Sequence, residues 1–405
     1  MTDLTANSGI APLQKAERIG ELDVLRGFAL LGVFVVHFVS AAFFLLPLDE
    51  ELASRWQADP IQRSALLFSD VFFLDKANTL FAVLFGIGFW VMMERLQARG
   101  GNFERIYTRR LVGLLLIGAV NLFLIFPGDV LHEYALIGFV LFALRGLQVR
   151  TLLIIGLPLA LVASPIIGAW LPGLGDAEPP FHEVQQDAFA NGGYWNWVVL
   201  TSVAHVNQDL IKGGALAWAL YILGRFLIGA WVIRQGWLQR AGDLLPNMRR
   251  QLIWVLPLGL GLEFLTMLLY EEFVIGPAWL TDLAHVLGVP LTALGYAMIL
   301  ILLFHSDRYR WTVLSFAPVG RIALTAYVLH CFVFTLLFFP FGFDLLGKVP
   351  PATSLAIAVS LYAAITLFSR VWLGRYRYGP LEYLWRWATY GSRPPLLRSP
   401  GMSTS

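Results

Sequence analysis

The chain has 405 residues, of which 58% are hydrophobic and only 14% charged, with a mean hydropathy of +0.67. A soluble domain carries roughly a quarter charged residues, so this composition excludes a soluble globular protein and points to lipid as a second solvent. The formal net charge of +2 is not gathered into a patch for nucleic acid, and the single cysteine, Cys331, excludes an internal disulfide and a thiolate metal cluster.

A bilayer core of about 30 Å needs roughly 20 apolar residues in a helix. Residues 22–46, 71–93, 111–126, 131–144, 151–170, 214–233, 252–270, 279–304, 313–339 and 354–373 predict ten such spans, the third and fourth being short. The first run is too long for a signal-peptide core and reads as an uncleaved span. Residues 198–211 form a weaker apolar stretch, expected to be interfacial or re-entrant.

Alternating the sides from a cytoplasmic N-terminus sorts the cations. Arg95, Arg99, Arg105, Arg109 and Arg110, then Arg145 and Arg150, then Arg234, Arg240, Arg249 and Arg250 all fall inside, as does the Arg-rich C-terminus. The outside loops hold only Arg55, Arg63, Lys212 and Lys348 and are otherwise acidic, with Asp49, Glu50, Glu51, Asp176, Glu178, Glu183, Asp187, Glu271 and Glu272. This is the positive-inside pattern, and it predicts both termini in the cytoplasm. The expected organisation is an N-terminal tail over 1–21, an all-α transmembrane bundle over 22–373, an interfacial helix over 374–390 and a disordered tail over 391–405. The external segment 171–212 begins with a loop able to form a lid.

A charge at the bilayer centre costs at least about 3 kcal/mol, so each one needs a partner or a purpose. In the first span Arg26 and His37 are eleven residues apart, which on a helix places both on one stripe about 16 Å apart. Asp23, three residues before Arg26, is within pairing reach. Two readings stand here: an interface anchor with a hydrogen-bonded packing imidazole, or a polar site carrying a titratable group.

Asp75 and Lys76 read as an adjacent ion pair opening the second span, and Gly86 and Gly88 as points of close helix contact. Asp129 is placed as an N-cap for the fourth span, with Glu133 four residues on. His132-Glu133 lacks the second histidine of a zincin helix, so no metal is expected. Tyr107, Arg109 and Arg110 stand at the inner mouth of the third span, where paired arginines suit phosphate or serve topology alone. Arg225 lies between Gly224 and Gly229, a bundle-facing setting. Arg321, Thr325 and Tyr327 follow Pro318-Val-Gly, a sequence expected to bend the ninth span along a cavity.

The segments 22–37, 80–89 (Leu-Phe-Ala-Val-Leu-Phe-Gly-Ile-Gly-Phe), 109–138, 319–327 (Val-Gly-Arg-Ile-Ala-Leu-Thr-Ala-Tyr) and 379–390 (Gly-Pro-Leu-Glu-Tyr-Leu-Trp-Arg-Trp-Ala-Thr-Tyr) occur in order along nearly the whole chain. Together they resemble the YeiB-like family of bacterial inner-membrane proteins, domain of unknown function 418, which is grouped with the transmembrane acyltransferases. The resemblance implies an acyltransferase-3-like bundle in the bacterial cytoplasmic membrane, with acyl-CoA as donor substrate and a small-molecule or lipid-linked acceptor. It implies His37 as general base and Arg26, with Asp23, as its neighbours in the catalytic site. Arg109, Arg110, Arg225, Arg321, Glu133, Thr325 and Tyr327 are the expected donor- or substrate-binding residues. Membrane lipids are expected partners and nucleic acid is not. A transporter without chemistry, or a non-catalytic lipid-binding scaffold, would use the same buried polar residues.

Overall fold

The computed structural model describes residues 20–40, 50–170, 193–206, 214–237 and 240–398, and these fold as helices with no named strand among them. In chain order the helices are α1 (Gly20–Val39), α2 (Glu50–Ala58), α3 (Pro60–Phe72), α4 (Lys76–Ala98), α5 (Phe103–Leu124), α6 (Leu131–Ala143), α7 (Val149–Trp170), α8 (Tyr194–His205) and α9 (Gly214–Arg234). They continue with α10 (Ala241–Tyr270), α11 (Ala278–Phe304), α12 (Arg310–Leu314), α13 (Ala317–Arg321), α14 (Ala323–Phe338), α15 (Pro351–Arg375) and α16 (Pro380–Tyr390).

Each of the ten expected segments contains helix. Among the described residues seven stretches are long and apolar enough to cross a membrane: α1, the consecutive α3–α4 run, α5, α9, α10, α11 and α15. Their outward faces are apolar, as with Ile253, Trp254 and Leu258 on α10 and Leu367 and Val371 on α15. That is the surface lipid requires, since hydrocarbon offers no water to a polar side chain. The stretch at 198–211 is represented by α8, of 12 residues.

Helix ends follow local chemistry. Asp59 caps α3, accepting from the amides of Ile61 (2.8 Å) and Gln62 (3.1 Å), with Pro60 at the first helical position. Asn102 caps α5 through the Arg105 amide at 2.9 Å. Asp129 accepts from the His132 amide at 3.0 Å and from Asn121 Nδ2 at 2.7 Å, so the carboxylate supplies the buried start of α6 as expected.

Two of the expected spans are corrected. The span at 71–93 is interrupted at 73–75, where Asp75 adopts a left-handed φ of 61° and α4 starts afresh at Lys76. The ninth span, 313–339, is not one bent helix but three pieces, α12, α13 and α14. Breaking a helix inside a bundle leaves amide groups that lipid cannot satisfy. Here Glu382 of α16 accepts from the amides of Leu324 (2.7 Å) and Thr325 (3.1 Å) and from Thr325 Oγ1 (2.5 Å). The interfacial helix therefore closes the broken one.

α1 is central and packs on α4, α13, α14 and α15. Its approach to α13 is backbone against backbone: a Cβ on Gly320 would lie 1.8 Å from the Asp23 carbonyl oxygen, and one on Gly27 2.1 Å from that of Phe316. Gly86 and Gly229 do the same between α4 and α9. Gly88 does not; a Cβ there would meet only Arg26 Nη2, at 3.7 Å, so this glycine opens room instead of closing a contact.

Beyond α16 the chain folds back instead of fraying. Arg377 N donates to Leu396 O (2.9 Å) and Arg398 N to Arg375 O (3.2 Å), around an antiparallel bridge between Tyr376 and Leu397. The tail expected to be disordered from 391 is thus ordered to Arg398, because its backbone groups pair with the end of α15. The expected N-terminal tail to residue 19, the loop at 171–192 and residues 399–405 lie outside the described residues.

Candidate functional site

A cavity of about 540 Å³ runs between α1, α4, α5, α6 and the broken helix. At one end it is lined by Arg26, Arg95, Arg99, Arg110, Arg321 and Arg386, with Asp23, Glu382, Tyr107, Trp385 and Tyr390 among them. Its waist is apolar, with Leu84, Phe85 and Leu114. At the other end stand His37, Asp75, Asn78, Tyr134, Trp218 and Tyr327.

The α1 stripe builds both ends, as the eleven-residue spacing predicts: Asp23 and Arg26 line the arginine end, and His37 the far one. Arg26 Nη1 lies 3.3 Å from Asp23 Oδ1. His37 is not in a dry core without a partner. Its Nδ1 is 2.8 Å from His330 Nε2, and its ring lies 5.0 Å from that of Phe126.

The hydrogen-bond chain fixes the tautomers. Tyr327 O can only accept, so the His330 Nδ1 lying 2.5 Å away carries the proton. Neutral His330 then offers a bare Nε2, which accepts from His37 Nδ1–H. His37 is left with an unprotonated Nε2, the form of imidazole that takes up a proton. Phe34 stacks on His330 at 4.4 Å between ring centroids and holds its plane.

Cys331 brings a third candidate metal ligand, and the donor atoms of His37, His330 and Cys331 lie within 4.8 Å of one another. Both His330 nitrogens are engaged within the protein: Nε2 faces His37, while Nδ1, 3.9 Å from the Cys331 sulfur, donates to the Tyr327 carbonyl.

The remaining expected site residues divide. Arg110 and Arg321 line the arginine end and Tyr327 the histidine end, its hydroxyl accepting from Val130 N at 3.2 Å. Arg110 also lies 3.7 Å over the Trp385 ring, while its carbonyl accepts from Trp385 Nε1 (2.7 Å). Arg109, its neighbour, is exposed, points away from this cavity and lies beside Gly391. Thr325 is a fastener for α16, donating to Glu382 and accepting from Leu381 N at 3.1 Å. Glu133 sits behind the wall and accepts from Trp218 Nε1 at 2.5 Å. Arg225 is buried against the Tyr221 ring, 3.1 Å from its centroid, and is not part of the lining.

Sequence reasoning missed His330, Glu382, Arg95, Arg99 and Arg386. It also paired Asp75 with Lys76, and the structure gives each a different partner. Lys76, fully buried, binds Glu263 of α10 and donates to Asp70 O at 2.9 Å. Asp75 Oδ2 lies 3.1 Å from His285 Nε2 of α11, whose Nδ1 is 3.5 Å from Glu263. The reversal at residues 73–75 turns the two side chains apart, so adjacency in sequence does not become a pair.

The model for the family "Protein of unknown function (DUF418)" matches residues 232–392. YxaH of Bacillus subtilis (strain 168) is 32% identical over 96% of this chain and 99% of its own length. YeiB of Escherichia coli (strain K12) is 30% identical over 94% of this chain and 98% of its own. Both relatives are described only as uncharacterized.

Proposed function

The chain belongs to the YeiB-like DUF418 family, and we propose that it transfers an acyl group from an acyl-CoA donor to an acceptor at the membrane. The observation that carries this reading is the polarity of one cavity: six arginines at one end, and at the other a histidine whose basic nitrogen is set by a second histidine.

The donor's phosphates suit the arginine end, since guanidinium groups bind phosphate oxygens in pairs. The apolar waist suits the acyl arm. His37 Nε2 takes the proton of an acceptor hydroxyl as its oxygen attacks the thioester carbonyl. The C–S bond then breaks, the thiolate takes the proton back from His37, and an ester and a free thiol leave. Arg26 would hold the donor at the arginine end. The positive-inside count supports a cytoplasmic position for that end in a bacterial inner membrane, with both termini inside. Reporters fused after Gly146 and at Glu271 test this, with the first expected to read cytoplasmic and the second external.

A second reading has its own support. The Lys76–Glu263–His285–Asp75 cluster, buried at Lys76 and Glu263 and half-buried at His285 and Asp75, meets the cavity through Asp75, and intramembrane ionisable groups of this kind serve proton-coupled transport of small metabolites. The two separate in inner-membrane vesicles containing the purified protein and labelled acyl-CoA. Transfer of label to a membrane component, slowed at least about a hundredfold in His37→Asn, supports the enzyme. Absence of transfer by the wild type, with uptake of a metabolite that follows the proton gradient, supports the transporter.

A further inference from the structure

The segment that closes the broken helix is unbalanced in charge. From residue 370 to residue 398 the chain carries six arginines and one acid, Glu382. That acid is taken up by the Leu324 and Thr325 amides and the Thr325 hydroxyl. Arg386 lines the cavity, whereas Arg370, Arg375, Arg377, Arg393 and Arg398 do not. Arg370, Arg375 and Arg393 are exposed, and no carboxylate among the described residues pairs with them or with Arg398.

Arginines that only sort a helix by side need no particular neighbours. Here the fold brings two of them together. Arg398 N donates to Arg375 O at 3.2 Å, beside the antiparallel bridge of Tyr376 with Leu397. Like charges placed opposite each other across such a pair destabilise it, a cost that a bound anion relieves. Side chains leaving backbones about 5.5 Å apart can both reach one phosphate, whose oxygens guanidinium groups bind in pairs.

Depth selects the anion. Arg375 is the last residue of α15, a helix long and apolar enough to cross a membrane, and Val371 faces outward one turn earlier. Leu397 is exposed, as are Leu384 and Trp387 on α16, and Arg393 lies 4.7 Å over the Trp387 ring. The rings of Trp372 and Tyr376 lie 4.3 Å apart at the same helix end. Aromatic rings and arginines gathered at the end of a span mark headgroup level. A free phosphate would use the arginines and leave the apolar groups in water; a phospholipid uses both.

We propose that the bridged end of α15 binds the headgroup phosphate of an anionic phospholipid between Arg375 and Arg398, with Val371 and Leu397 toward its acyl chains. The site is separate from the cavity and stands whether that cavity serves transfer or transport. It secures the segment that supplies Glu382, Trp385 and Arg386 to the arginine end.

The test is native mass spectrometry of the full chain in detergent, titrated with phosphatidylglycerol or with phosphatidylcholine of identical acyl chains. The tightest phosphatidylglycerol adduct should saturate, with phosphatidylcholine about tenfold or more weaker because its ammonium meets the arginines as a like charge. Arg375→Gln/Arg398→Gln should weaken phosphatidylglycerol about thirtyfold, roughly fivefold for each arginine. Each single substitution carries its own share, so any variant whose melting curve shows it folded serves. Arg249→Gln/Arg250→Gln removes the same charge from exposed positions on α10, sorted to the same side, and should leave the titration unchanged. Inorganic phosphate in millimolar excess should not displace the lipid. Equal affinity for the two lipids, equal titrations of the two double variants, or displacement by inorganic phosphate overturns the proposal.

Discussion

His37 Nδ1 and His330 Nε2 are 2.8 Å apart, although 293 residues separate them in sequence. The contact turns a helix-bound imidazole into an oriented one, because His330 cannot rotate without losing Tyr327 O. His330→Phe keeps the stacked volume beside Phe34 and removes the acceptor. On the acyl-transfer reading, we expect this variant to fold, to keep KM for the donor, and to lose kcat by about ten- to a hundredfold. That is less than the full general-base contribution of roughly 10²–10⁴. A merely structural His330 would instead lower the yield of folded protein and leave kcat of the remainder unchanged. Steady-state kinetics on the folded fraction decides between them.

The pair Lys76–Glu263 is the least expendable charge contact in the described bundle. Both side chains are almost wholly buried, so removing one leaves the other a buried charge with only a weaker partner, the His285 ring 3.5 Å from Glu263 or the Asp70 carbonyl for Lys76, a loss of up to about 3–5 kcal/mol. Lys76→Met and Glu263→Leu should each lower the thermal midpoint severely, while the double variant should recover most of the loss. His285 keeps Asp75 as a partner in that background, which is why recovery is expected to be nearly complete. Thermal melting in detergent measures all three, and a double variant as unstable as the singles would refute the account.

How much of this was readable from sequence follows from range. Hydropathy and the 3.6-residue period are local, so the helical segments and the shared stripe of Arg26 and His37 were legible. So was the Asp129 cap, which reaches only three residues. Which helices touch is not written in spacing. His330 lies within an expected span, yet nothing in the sequence aims it at His37. Glu382 accepts from the amides freed by a break 57 and 58 residues upstream, a contact that no local spacing announces. Pro318 and Gly320 signalled a bend, but not the separation into three pieces. Asp75 and Lys76 were misjudged because one left-handed residue redirects both side chains.

Gly320 is where the α1–α13 contact is tightest. Any Cβ there meets the Asp23 carbonyl, a backbone atom with no rotamer to escape into. Gly320→Ala should cost about 1–3 kcal/mol through overpacking and displace Asp23 and Arg26 from the cavity wall. The expected signature is a lowered melting temperature together with weaker donor binding. Gly261→Ala, where a Cβ meets nothing within 4 Å, is the matched control and should show neither.

Glu382 gives a pH dependence with a definite sign. Burial raises its carboxyl above the usual glutamate value, partly opposed by the hydrogen bonds from Thr325 and Leu324. A group whose folded value is raised adds stability below its unfolded value, near pH 4.5, and loses it as pH climbs through the folded value. Glu382→Gln keeps an oxygen for the Leu324 and Thr325 amides and removes the titration. Relative to that variant, the wild type should be most stable near pH 4 and lose ground as pH rises. Melting curves at several pH values test it, and a difference that grows in favour of the wild type with rising pH would show the opposite linkage.

Arg110 and Arg109 are neighbours with the same charge, and the structure gives them different fates. Arg110 lines the cavity against Trp385, while Arg109 is exposed and outside it. If phosphate is held at the arginine end, losing Arg110 removes charge-assisted hydrogen bonds worth about 1.5–3 kcal/mol. Arg110→Ala should therefore weaken acyl-CoA binding by about tenfold or more, whereas Arg109→Ala should leave it unchanged. Both variants remove one of several arginines that the charge count sorts to the same side, so a change of topology cannot account for a difference between them. Arg110→Lys should recover only part of the loss, because an ammonium neither stacks on the Trp385 ring as a plane nor binds two phosphate oxygens in parallel. Calorimetry with a non-hydrolysable acyl-CoA thioether reads the order directly. Equal affinities for the two alanine variants would remove Arg110 from the donor site and return both arginines to a topological role.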